Sequence, residues 1–148
     1  MRGQAQPLLH GSDLRRRRAL GAAMKNRRIL LQTSRPEAWE DFVEQLQHDG
    51  CTVCMTATID QCKEAARRDI PVLALLDPPS GDHARAWVLE LMMIDAGMHT
   101  AVVTEMDDEV FHDVMEGLGI LTPLPPQPMA SDARKMLGLL EQVESLGG

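Results

Sequence analysis

Aromatic side chains are scarce in this 148-residue sequence, which has two Trp, two Phe and no Tyr. The stacking platforms that hold single-stranded nucleic acid are therefore nearly missing. A core has to be assembled instead from Leu, Val, Ile, Ala and ten Met. No apolar run approaches the roughly 20 residues that cross a bilayer, so no transmembrane helix is expected. Neither G-x-G-x-x-G nor G-x-x-x-x-G-K-[ST] is present, which removes support for dinucleotide and P-loop chemistry. A serine nucleophile elbow is lacking too. His10, His48, His83, His99 and His112 are scattered, with no i, i+4 pair to seat a metal. Only three cysteines occur, Cys51, Cys54 and Cys62, an odd number that argues against a disulfide framework. Cys51 and Cys54 lie in a β-branched run where residues three apart point to opposite faces, so they read as reduced structural thiols.

The net charge of −7 conceals a split. Residues 1–28 carry eight Lys or Arg against Asp13 alone, a balance of +7, and residues 29–148 carry a balance of −14. An acidic body repels phosphate backbones and anionic lipid, so binding to nucleic acid or membrane is not expected of it. Residues 1–25 read as a basic, disordered arm. Ala19–Met24 is too short for the apolar region of a secretory signal and ends in further basic residues, which favours a cytoplasmic chain.

From about residue 26 onward, five strand signals alternate with five helix signals. Arg28–Gln32 is a short apolar run bounded by Ser34 and Pro36. Ser34 and Glu37 have capping-box spacing, and Trp39, Phe42, Val43 and Leu46 then repeat on one helical face. Cys51–Ala57 reads as a second strand, followed by a helix capped at Thr58 or Asp60. Pro71–Leu76 is almost wholly apolar, as in a strand covered on both faces. It stops at Asp77-Pro78-Pro79, after which Ala84, Trp87, Val88, Leu91 and Ile94 stripe a third helix. His99–Thr104 is the fourth strand, Asp107 or Asp108 caps the fourth helix, and Gly119–Thr122 is a weak fifth strand. A last helix starts near Ser131 or Asp132. Such alternation requires right-handed crossovers, and hence an α/β fold: a doubly wound, five-stranded parallel sheet in one domain over residues 26–148.

In such a sheet, ligands meet the carboxyl ends of the strands. The order of elements, Asp77 closing an apolar third strand, and Val102-Val103-Thr104 before an acidic helix cap together resemble the receiver domains of bacterial response regulators, with flavodoxin-like (βα)5 topology. The resemblance spans residues 26–146. It implies that Asp77 is the phosphoacceptor-like residue, modified in that family by a histidine kinase, and that Thr104 contacts the phosphoryl oxygen. It also implies departures. The acidic pair that helps to hold Mg²⁺ falls on the neutral Thr33 and Ser34. The fifth-strand Lys falls on Pro123, and the aromatic switch residue on Ile120.

Phosphoryl transfer depends on positioning and charge neutralisation, and Mg²⁺ is bound mainly through carboxylates. Losing the Lys removes a charge-assisted contact of roughly 1.5–3 kcal/mol. The expectation is a pseudo-receiver: a stand-alone signalling module, not an enzyme, with no cofactor and no metal. It acts through contacts with a signalling protein such as a histidine kinase or downstream effector, or as a homodimer. By the resemblance, the partner face is the fourth helix, fifth strand and fifth helix. Two alternatives remain open at this point. One is a true response regulator phosphorylated at Asp77 with Mg²⁺, and the other is a flavodoxin-like domain binding flavin or nucleotide. The basic arm lacks a periodic apolar face that would offset the entropy of ordering it. Deleting residues 1–23 is accordingly expected to leave the melting temperature within a few degrees, as measured by circular dichroism; a collapse in stability would show that the arm packs on the body.

Overall fold

The structure, a computed structural model, describes residues 27–115 and 117–147. The basic arm therefore lies outside the described residues. Five parallel strands form one sheet: β1 Arg28–Gln32, β2 Thr52–Thr56, β3 Leu73–Leu76, β4 His99–Val103 and β5 Thr122–Leu124. Their order is β2-β1-β3-β4-β5, the flavodoxin-like doubly wound arrangement. The intervening helices are α1 Glu40–His48, α2 Ile59–Arg68, α3 Gly81–Ile94, α4 Asp108–Val114 and α5 Ala130–Gly147.

Alternation along the central strands divides the interior into two cores, because successive side chains point to opposite faces. Ile29, Leu31, Leu73, Leu75 and Ala101 face one way, against Phe42 and Leu46 of α1 and Met136, Leu137 and Leu140 of α5. Leu30, Ala74, Leu76 and Val102 face the other, against Cys62 and Ala66 of α2, Val88 and Leu91 of α3, and Phe111 of α4. Every residue of β3 is buried, which is why its sequence carries no polar alternation. The cysteines follow the same division: all three are free, Cys51 lies in the first core, and Cys62 and Cys54 pack in the second. Burial pushes the Cys62 thiol up to about 11.

Two of the helix starts are set by side-chain caps. Thr58 and Gln61 form a reciprocal capping box at α2, and Asp107 accepts the Val110 amide at α4. Gly50, with φ of 90°, takes the left-handed turn that follows α1.

Two expectations are corrected. The Ser34–Glu37 capping box does not form: a 3₁₀ turn over Pro36–Trp39 leads into α1, and no side chain caps it. The turn is made one residue earlier, where the Thr33 hydroxyl accepts the Arg35 amide at 2.9 Å. The fifth strand is Thr122–Leu124 instead of Gly119–Thr122. Gly117 and Gly119 both take positive φ, 88° and 63°, so the backbone is still turning there. Pro123 then sits inside the strand, paired with Val102, and supplies no N–H, which an edge strand tolerates.

Phe42 is fully buried and meets Trp39 edge-on at 5.1 Å between ring centroids. Phe42→Ala is expected to cost about 3–5 kcal/mol in urea unfolding, whereas Val143→Ala, on the exposed side of α5, is expected to stay within about 0.5 kcal/mol.

Candidate functional site

The carboxyl ends of β1, β3 and β4 open onto a cleft of about 440 Å³. Its lining includes Ser34, Arg35, Asp77, Thr104, Glu105 and Pro126. Register accounts for the meeting of the first groups. Gln32 of β1 pairs with Leu76 of β3, so the next residues, Thr33 and Asp77, emerge side by side.

Asp77 is only 7% exposed. Its backbone N–H donates to both the Gln32 carbonyl and the Gln32 side-chain Oε1, each at 3.0 Å. One carboxylate oxygen, Oδ2, collects donors from three residues. The Thr33 hydroxyl donates at 2.7 Å, the Arg35 guanidinium at 3.0 Å from Nε and 2.9 Å from Nη2, and the Trp39 indole N–H at 3.2 Å. The same Nη2 donates to the Pro126 carbonyl at 2.8 Å. Arg35 therefore joins the loop after β1, the end of β3 and the loop after β5. A buried carboxylate needs a cation and several donors to offset its lost hydration, and here the chain supplies all of them.

Thr104 is placed differently. Its hydroxyl accepts the Met106 amide at 3.0 Å, and its own N–H donates to the Leu124 carbonyl at 2.9 Å. It lines the cleft with Asp77, while its hydroxyl oxygen also holds the turn of its own loop. Ser34 is exposed at the rim, as is Glu105, while Asp82 is exposed on α3 and outside the lining.

The β5 register places two further residues. Because Leu124 is level with Val103 and bonds Thr104, the residue leaving the sheet beside Thr104 is Pro125. Pro123, the position first matched to the family's Lys, is inside the strand. The position three residues before Pro125 is Thr122, and Ile120 lies ahead of the strand, packed on the second core. Gly119 and Ile120 precede the ladder, where the glycine turn holds the chain out of it.

The sequence reading passed over three members of this cluster: Gln32, Arg35 and Trp39. Trp39 had a complete explanation as a core residue, and nothing in the periodicity marks its indole N–H as a donor. A signal did exist for Arg35, since a cation stands one residue beyond the Thr33-Ser34 pair, in the segment where carboxylates were sought.

No protein-family model matches the sequence, and neither does any curated protein. Solved structures do match in shape. A response regulator from Desulfuromonas acetoxidans superposes with a TM-score of 0.65 at 14% identity, covering 81% of this chain and 98% of that one. A CheY-like receiver domain protein from Methanospirillum hungatei JF-1 gives 0.65 at 18%, covering 80% and 97%. The chemotaxis response regulator CheY4 of Vibrio cholerae gives 0.67 at 13%, covering 77% and 98%. The chain has the receiver fold. Placed on that fold, Asp77 closes the third strand and Thr104 follows the fourth. Among the described residues no helix is long and apolar enough to cross a membrane.

Removing Arg35 leaves a buried carboxylate without its cation. Arg35→Ala is expected to destabilise the fold by roughly 1–3 kcal/mol, since its guanidinium is partly solvated. Combined with Asp77→Asn in a double-mutant cycle, it should show a coupling above about 0.5 kcal/mol by urea denaturation. Additive losses would mean that the two groups do not act as a pair.

Proposed function

We propose that this chain is a receiver-fold signalling module that works through protein–protein contacts and without phosphorylation of Asp77. The observation that carries the reading is the occupancy of Asp77 Oδ2 by Thr33, Arg35 and Trp39. An acyl phosphate forms when a carboxylate oxygen attacks phosphorus, with metal and cations neutralising the phosphoryl oxygens. Those donors draw negative charge from the carboxylate as a whole, which lowers the nucleophilicity of Oδ1, the oxygen that receives none of them.

The receiver fold implies Mg²⁺, and the residues here do not fit that ion. Thr33 and Ser34 bring no charge, and the Asp77 carboxylate already has the Arg35 guanidinium on one of its oxygens, so a dication would find one partly neutralised carboxylate and no second acid beside it. Among the described residues, no group of three or more His, Cys, Asp or Glu is gathered to hold a metal. Arg35 serves as a tethered cation in place of a mobile one.

A tethered cation changes what the module does. Arg35 also grips Pro126, and the chain around it, Pro125-Pro126-Gln127-Pro128, has few backbone conformations. The loop after β5 is thus held by the same residue that neutralises Asp77. A switch requires a bistable element, and this end of the sheet is tied in one arrangement. The module presents a constant surface to a partner such as a histidine kinase or a downstream effector. Val110 and Val114 of α4 and Val143 of α5 are exposed apolar groups that would meet a partner on that face.

Incubation with acetyl phosphate and millimolar Mg²⁺, followed by intact-mass measurement, tests the reading. No phosphoryl adduct is expected. An adduct that disappears in Asp77→Asn would overturn it and make the chain a phosphoacceptor.

A further inference from the structure

The two edges of the sheet are unlike. β5 is three residues long with Pro123 at its centre. β2 is the other edge, bonded among the described residues to β1 alone, five residues long, in continuous register, and free of charge, Pro and Gly from Thr52 to Thr56. Natural sheets usually blunt such an edge with Lys, Pro or a bulge, because its unpaired N–H and C=O groups template another strand. None of these devices is present in β2.

Which groups are unpaired follows from the ladder. Thr52 N–H donates to the Arg27 carbonyl at 2.8 Å, and the Thr56 carbonyl accepts the Thr33 amide at 2.9 Å. In a parallel pair alternate residues turn to the same neighbour, so Thr52, Cys54 and Thr56 face β1. Val53 and Met55 direct their backbone groups outward, and the Met55 side chain is 43% exposed.

From this we infer that β2 is a self-association edge, paired antiparallel with β2 of a second copy about a two-fold axis at Cys54. The register is the one in which both outward residues find partners. Val53 exchanges two hydrogen bonds with Met55 of the second copy, and Met55 exchanges two with its Val53. Cys54 is then a non-hydrogen-bonded pair with its own counterpart, about 4.5 Å apart at Cα. A second copy is favoured over an unrelated strand because the segment complements itself: it is neutral, and it places equal numbers of donors and acceptors either side of its centre. The flanking α1 opposes the pairing. Glu37, Glu40 and Glu44 lie beside Met55 and would face their own copies, so association should strengthen as salt screens them.

Light scattering on the full chain is the test, from micromolar to hundreds of micromolar protein. The expected result is a weak dimer of the 16.4 kDa chain whose dissociation constant falls several-fold between about 0.01 and 0.15 M salt. Met55→Lys should abolish it with the melting temperature kept. Met55→Pro, which removes an outward N–H and none of the bonds to β1, should also abolish the dimer. Diamide should accept two electrons and two protons from the paired Cys54 thiols, leaving a disulfide-linked dimer absent in Cys54→Ser. That geometry suits a bond spanning roughly 4.4–6.8 Å at Cα. A chain monomeric throughout this range overturns the proposal. So does a dimer indifferent to Met55→Lys, or one that forms only after residues 1–23 are deleted, since the chain's own arm would then occupy the edge.

Discussion

A carboxylate removed from water sets the terms for one end of this molecule. Asp77 sits beyond a strand whose every residue is buried, so its charge has to be met by the protein. The solution draws on one short stretch of chain, residues 33–39: a hydroxyl from the end of β1, a guanidinium two residues on, and an indole from the turn entering α1. Each of these elements is held in place by the group it serves. Thr33 shows the economy of the arrangement, because one hydroxyl donates to Asp77 while accepting the amide that starts the turn. The 3₁₀ entry to α1 follows from this demand more than from any preference of its own residues.

The two-layer interior and the polar cluster are coupled through Trp39. Its ring is fully buried and packs edge-on against Phe42 in the first core, while its N–H reaches the carboxylate. A displacement of Asp77 is therefore felt in packing as well as in hydrogen bonding. At the other end of the same cluster, Gln32 bonds the Asp77 amide and also donates to the Ala57 carbonyl at 2.9 Å. The ends of β1, β2 and β3 are thus joined by side chains beyond the point where the backbone ladder stops.

Most of the architecture was legible because it rests on periodicity. The buried runs Ile29–Leu31 and Leu73–Leu76 and the stripe through Phe42 and Leu46 each have one physical interpretation, and the alternation of such segments leaves few topologies. Asp77 was legible as a strand-end group for the same reason. Where the reading failed, a local pattern competed with a distant partner. Ser34 and Glu37 have ideal capping spacing, but Arg35 is drawn to a residue 42 positions away, and the turn forms around Thr33 instead. In β5, apolar Ile120 and Leu121 look more like strand than Thr122-Pro123-Leu124 do. The strand is nevertheless decided by where two left-handed glycines let the chain straighten. Pro123, matched by the resemblance to the family's Lys, consequently lies inside the strand, with Pro125 just beyond it. Hydrogen-bond partners far apart in sequence leave no periodic trace, which is why Arg35 and Trp39 were missed as members of the site.

Pro123 has a meaning beyond the strand that contains it. A sheet open at both edges can add copies without limit, and the product of head-to-tail addition is a fibre. This sheet has an inviting border at β2 and a barren one at β5, where the ladder is short and lacks a donor at its midpoint. Pairing through β2 by the proposed two-fold operation would use the inviting border of both copies at once and leave only barren ones outside. Such an assembly would close at two, with a proline on the far side of the sheet keeping it finite.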